Sequence, residues 1–418
     1  MNLSKLSPIE KSTAGMLLMA AIFNGVVSSL YQTQDIIARK ALHAADWQLM
    51  LMMMIWPVAN FFSIWWGRLF EKSCHKSRYF VVVGIFGRLT LIYAIWLTTM
   101  NEYLVLLGIM FGFNSLLIPA QNSIYQKNIN STHRAKIYGY TISLGMLISI
   151  GFTFFAGRLL DSQENMYRLI LVLTGICGFI SCVFLALVKI QEPICPQVRV
   201  KPKFRDVLAD PIHRTLKLLK ENKQFAAFER SYSIYGMGFI MMTPIIPIYL
   251  VDVLKLSYTT NFLAKGIISQ VGLLFLSPYI GKIHDRLHPF RFISVSFGIL
   301  FLYPILILLS SQLLQYHVLS VAIVFVAYLV FGIAMAAVNI SWNMSSIYFA
   351  GAEDAAMYQS VHVTMTGIRG LIAPVLGLLL MKFIGITAVF VVAAGFLFWA
   401  SLISYRDHKK LEPALPIA

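Results

Sequence analysis

Apolar runs of about 20 residues alternate with short polar stretches along the whole chain, and a helix of that length crosses a bilayer. Twelve such runs are legible, at about 14–34, 47–66, 79–99, 103–124, 137–158, 167–188, 228–250, 259–280, 292–312, 318–340, 359–381 and 386–404. The longest polar stretch, 189–227, reads "KIQEPICPQVRVKPKFRDVLADPIHRTLKLLKENKQFAA" and separates the sixth run from the seventh. Its second part has the spacing of a short amphipathic helix after Pro211. The pattern predicts an all-α integral membrane protein with twelve transmembrane helices. The expected organisation is an N-terminal six-helix bundle over 1–188, a linker over 189–227, and a C-terminal six-helix bundle with a short tail over 228–418.

Composition removes the soluble alternative. Of 418 residues 58% are hydrophobic and 12% charged, about half the charge of an average soluble domain. The polar start "MNLSKLSPIEKST" leads into the first run with no small-residue cleavage site, so that run reads as a span and not as a removable signal. Cys74, Cys177, Cys182 and Cys195 show neither disulfide nor metal spacing, and no cofactor motif is present.

A net charge of +16 would in a soluble chain raise nucleic-acid binding; here its placement decides. With the N-terminus inside, 25 of the 34 Lys and Arg fall in the N-terminal segment, the even-numbered connections, the linker and the tail. The positive-inside rule then puts both termini and the linker in the cytoplasm. The charge reports topology and no nucleic-acid partner.

Two loops repeat each other. "GRLFEKSCHKSRYFVVVG" (67–84) matches "GKIHDRLHPFRFISVSFG" (281–298) without a gap, pairing Gly67 with Gly281, Glu71 with Asp285 and Lys72 with Arg286. A second pairing sets Tyr138–Gly157 against Tyr358–Gly377. Similar offsets across one linker indicate an internal duplication. Gly67, Glu71, Lys72, Gly281, Asp285 and Arg286 are the candidate gating-loop residues: a glycine for close helix approach, and an acid beside a base for a contact that is made and broken. A plain positive-inside anchor explains one basic loop, but not two in register.

These loops resemble the signature of the major facilitator superfamily, Gly-x-x-x-Asp-Arg/Lys-x-Gly-Arg-Arg between spans two and three with a weaker copy between eight and nine. Here the second copy is the better match; the first has Glu71 for Asp. The resemblance covers the whole chain in topology. It implies two six-helix pseudo-repeats, transport by alternating access, and a central cavity lined by spans one, four, seven and ten, with eleven close by. No sugar-porter signature follows span six, and span five, "GYTISLGMLISIGFTFFAG", lacks the Gly-Pro pair of drug–proton antiporters.

Polar residues within spans are costly and therefore informative. Helical spacing groups them into stripes: Asn24, Ser28, Tyr31 and Asp35; Asn114, Gln121 and Tyr125; Tyr232 and Tyr235; Asn339, Asn343 and Ser346; Tyr358, His362, Thr366 and Arg369. Arg369 lies about ten residues into its span, where a charge costs at least about 2.5–3.5 kcal/mol. An anionic group on a substrate would offset it through the guanidinium fork; a protein carbonyl or carboxylate would do the same structurally. The expected substrate-binding set is Arg369, His362, Thr366, Asn24, Tyr31, Gln121, Tyr232, Tyr235, Asn339 and Asn343. Asp35 and His362 are the coupling candidates. Arg88, mid-span in span three, reads as structural or gating, Lys265 as snorkelling, and Glu229 as an interfacial pair with Arg230.

The reading is a secondary active transporter of a small organic solute, anionic in character, in a bacterial cytoplasmic membrane. Its partners are the solute, the bilayer and a coupling proton or ion; it works as a monomer. Efflux of lipophilic compounds is the nearest rival, favoured by 13% aromatic residues and 19 methionines and opposed by the missing antiporter motif. A non-transporting sensor or scaffold lacks an extra-membrane domain. An enzyme lacks HExxH, GxSxG or a carboxylate cluster, and an ATP-driven pump lacks a phosphate loop.

Overall fold

The computed structural model describes residues 6–62, 76–189, 215–351 and 355–411. Among them there are helices and no strands. In chain order they are α1 (Pro8–Lys40), α2 (Asp46–Phe61), α3 (Lys76–Trp96), α4 (Met100–Asn114), α5 (Leu117–Asn128), α6 (Ser131–Ser162), α7 (Tyr167–Ala186) and α8 (Lys223–Val253). The rest are α9 (Tyr258–Phe262 continuing to Ser269–Arg286), α10 (Pro289–Gln312), α11 (His317–Ala350), α12 (Ala355–Phe383) and α13 (Ile386–Leu411). Ten of the described helices are long and apolar enough to cross a membrane. The other two expected spans have local explanations. Span two is described only as far as Phe62. Span four is broken into α4 and α5 at Ser115–Leu116, because Pro119 has no N–H for the Ser115 carbonyl four residues back. The short helix expected in the linker appears over 215–221, with Lys217 and Glu221 paired at 3.8 Å.

Local chemistry sets the helix starts. Ser7 and Glu10 form a reciprocal capping box on α1, as Thr99 and Glu102 do on α4. Asn222 caps α8 by accepting from the Phe225 N–H at 2.9 Å. Three spans change pitch along their length: α8 ends in a π-helical turn at Tyr249–Val253. In α3, Val83–Arg88 is π-helical and Leu89–Trp96 is 3-10, and α9 carries a π-helical turn at Leu263–Ile268.

The chain forms two compact units. The first comprises residues 1–48, 62–201 and 257–262. Its centre is α1, which packs on α6 and α7: a Cβ at Gly25 would lie 2.5 Å from the Gly145 carbonyl oxygen, and Ser181 donates to the Ala20 carbonyl at 2.9 Å. The 257–262 segment, the first turn of α9, is held here by Asp161. Its carboxylate accepts from the N–H groups of Tyr258 and Thr259 at 2.7 and 2.9 Å, while the Tyr258 hydroxyl donates to Glu164 at 2.6 Å.

The second unit comprises residues 49–61, 202–256 and 263–418. Small and hydroxylated residues let its helices touch, the usual interface chemistry between helices in lipid. Gly272 of α9 and Gly332 of α11 meet backbone to backbone. Ser294 of α10 and Ser401 of α13 each donate to the other's carbonyl, at 2.9 and 2.7 Å. Gly367 and Gly370 of α12, on either side of Arg369, make room for Phe61 and Pro57 of α2.

Gly67, Glu71 and Lys72 lie outside the described residues. Gly281, Asp285 and Arg286 form the last turns of α9 and not a loop. Among the described residues, no atom beyond its own helix turn lies within 4 Å of where a Gly281 Cβ would stand. Arg286 is exposed.

Candidate functional site

In the second unit the polar face of α12 meets the face of α8 that carries Glu229, Tyr232 and Gly236. His362, Thr366 and Arg369 step by four and three along α12, so they project together. His362 Nδ1 lies 2.6 Å from Glu229 Oε1, with both side chains at most 2% exposed. The ring is enclosed by Tyr232, Trp342 and Phe228, with centroids 4.8, 5.3 and 6.0 Å away. Thr366 donates to the His362 carbonyl at 3.0 Å and accepts from Arg369 Nη2. Arg369 Nη1 donates to the Tyr232 carbonyl across the helix pair. Gly236 explains how the guanidinium fits: a Cβ there would stand 2.7 Å from Arg369 Cδ. Tyr235 stacks on Phe297 at 4.6 Å, and the Tyr232 hydroxyl donates to the Val338 carbonyl of α11 at 3.3 Å.

Among the described residues Arg369 thus bonds neutral oxygens, and its Nε has no acceptor; nor do Glu229 Oε2 and His362 Nε2 have partners there. Burial of a polar atom without a partner costs about 1–3 kcal/mol. Three such atoms converge in one cluster, the mark of a site with unused hydrogen-bonding capacity.

This cluster corrects one expectation. Glu229 is not an interfacial mate of Arg230. Successive helical residues point in different directions: Glu229 faces inward to His362, while Arg230 reaches Asp407 at 2.6 Å on an exposed surface. Asn339 and Asn343 are exposed and bond along α11 (Asn343 Nδ2 to the Asn339 carbonyl, 2.8 Å), outside the cluster. Ser346 donates to Gln359 at 2.7 Å.

In the first unit, Arg88 is 4% exposed and ties three helices together. Its Nη2 donates to Asn24 Oδ1 of α1 at 2.8 Å, its Nε to Asn114 Oδ1 of α4 at 3.0 Å, and its Nη1 to the Gly178 carbonyl of α7 at 3.2 Å. Tyr31 packs edge-on to Phe111 at 5.2 Å. Gln121 is half-buried. Tyr125 bonds Thr141 at 2.7 Å. Asp35 is buried in α1 (2% exposed), where its Oδ1 accepts from the Ile36 N–H at 3.0 Å.

Ten long apolar helices among the described residues make the chain a multi-pass membrane protein. The sequence model of the Major Facilitator Superfamily matches residues 12–374, and the chain belongs to that superfamily. The solved nucleoside transporter NupG is similar in fold: TM-score 0.67, 16% identity, covering 97% of this chain and 100% of that one. A POT family transporter in complex with 5-aminolevulinic acid has TM-score 0.74 at 14% identity, with 96% of each chain covered. A bacterial homolog of the human lysosomal transporter Spinster has TM-score 0.67 at 15% identity, covering 96% of this chain and 99% of that one. No curated protein matches the sequence.

Proposed function

We propose that this transporter carries a small organic solute bearing a carboxylate or phosphate, by alternating access, and that the Glu229–His362 pair couples the movement to protons. The observation that carries the reading is Arg369: a buried guanidinium that, among the described residues, bonds neutral oxygens and has Nε left over. A bidentate acceptor such as a carboxylate suits that fork. Glu229 lies on the adjoining face, 2.6 Å from His362 Nδ1, where the two can share and trade a proton. The expected coupling role of His362 is kept and gains Glu229; Asp35 remains the second coupling candidate. Thr366, Tyr232 and Tyr235 belong to the same site. Asn24, Tyr31 and Gln121 serve in the first unit, and Asn339 and Asn343 as exposed polar positions on α11. Gly67, Glu71, Lys72, Gly281, Asp285 and Arg286 act in gating. The organisation is an N-terminal bundle (1–188), a cytoplasmic linker (189–227) and a C-terminal bundle (228–418). The chain is a monomer in a cytoplasmic (inner) membrane, with both termini on the cytoplasmic side.

Efflux of lipophilic cations gains one observation, since Glu229 is the buried acid that the sequence reading did not place in the membrane. Its bond to His362 and the nearby Arg369 charge leave it little net attraction for a cation.

Proteoliposomes with an internal pH dye test the coupling. Added solute should drive proton uptake in the wild type. Glu229→Gln should lose proton movement yet retain solute exchange between equal internal and external pools. Undiminished proton movement in that variant would refute the role of Glu229.

A further inference from the structure

Arg88 is surrounded by acceptors that are all neutral, and no carboxylate pairs with it among the described residues. Its seat is built for it. A Cβ at Gly178 would stand 2.8 Å from Arg88 Cδ, and one at Gly175 would stand 2.9 Å from the Arg88 carbonyl oxygen. The π-helical stretch Val83–Arg88 ends at this residue, turning it toward α1, α4 and α7.

The chemistry of the guanidinium fixes its neighbours. Arginine has donors only, so Asn24 and Asn114 must both turn their oxygens to it. Their amino groups then point the other way, whichever orientation an isolated amide would prefer. Asn114 Nδ2 is buried and makes no hydrogen bond of full geometry among the described residues; the group it faces is the Tyr31 phenol. Asn24 is half-buried, and its Ser28 neighbour on the stripe is occupied with the Asn24 carbonyl at 3.0 Å. The first unit therefore holds two oriented amide donors next to a positive charge that has no counter-ion among the described residues.

We infer that Arg88 is a positioning residue that sets Asn24 and Asn114 as paired amide donors for an acceptor-rich anionic group, a carboxylate or a phosphate, on the transported solute. This rests on the anionic-solute reading above and adds a second, separate anchor for it. Arg88 does not touch the ligand; it aims the amides and supplies the field. The arrangement favours anions over neutral acceptors because a desolvated charge acts strongly at short range, and it rejects cations for the same reason.

Asn114→Asp separates this from a merely structural role. The carboxylate keeps an oxygen toward Arg88 Nε and forms an ion pair. It also removes the free donor and cancels the positive charge. The purified full chain, wild type and variant, is titrated with acetate, succinate, glutamate, inorganic phosphate and glycerol 3-phosphate, following thermal unfolding. The expected result has two parts. At least one anion stabilises the wild type, and its apparent affinity falls at least tenfold in Asn114→Asp, whose ligand-free midpoint equals or exceeds that of the wild type. Asn24→Asp should behave alike and stands in if the first variant does not fold. Unchanged affinity in the folded variants overturns the inference and leaves the Arg369 reading standing. A lowered ligand-free midpoint in both overturns the claim that Arg88 lacks a counter-ion. If no anion stabilises the wild type, the anionic-solute reading falls, and the ligand class assigned here falls with it.

Discussion

At the scale of single residues, the second unit is organised around side chains that a bilayer would otherwise reject. Arg369 can lie across α8 only because position 236 has no Cβ. Gly236→Ala should displace the guanidinium and cost about 1–3 kcal/mol as overpacking does, read as a lower unfolding midpoint together with weakened solute binding. Retained midpoint and binding would show that Arg369 does not need this seat. Much of the cluster is legible from the sequence. His362, Thr366, Arg369, Tyr232 and Tyr235 share stripes because helical period fixes which residues share a face. Glu229 is not, because its sequence neighbour Arg230 invites pairing, while the helix sends the two to opposite environments. The signal was present: Glu229, Tyr232 and Gly236 follow each other by three and four on one face of α8. Arg88 is visible as a costly mid-span charge, but its partners Asn24 and Asn114 belong to other helices, and periodicity says nothing about contacts between helices.

At the scale of elements, two glycines of α9 separate packing from motif. Gly272 meets the Gly332 backbone of α11, whereas Gly281 stands in open space. Gly272→Ala should lower the unfolding midpoint, since neither backbone can yield. Gly281→Ala should leave it unchanged or raise it, because alanine is favoured over glycine in a helix by about 0.5–1 kcal/mol. A stability loss at Gly281 comparable to that at Gly272 would contradict the observed spacing. The sequence marks both as glycines in a span and does not distinguish them; only the crossing of α9 and α11 does. Helix number and order are readable because each apolar run matches the bilayer thickness. The break in span four was signalled by Pro119. The pitch changes in α3 and α9 carry no comparable sequence mark, since they depend on how neighbouring helices fill the space beside them.

At the scale of the whole molecule, the distribution of Lys and Arg predicts an orientation that labelling can check. In a background lacking the four native cysteines, Asp285→Cys should react with an impermeant maleimide from the cytoplasmic side only; reaction from the other side would reverse the topology. Superfamily membership makes the chain a transporter, and the buried guanidiniums bear on what it carries. The most direct measurement is thermal stabilisation of the purified wild type and Arg369→Gln by carboxylates, phosphates, neutral sugars and lipophilic cations, since a ligand that binds the folded state raises its stability by mass action. An anion that stabilises the wild type and not Arg369→Gln is the predicted result. Lipophilic cations that stabilise both equally, with no anion acting on either, would contradict it and make Arg369 a structural residue of an efflux protein.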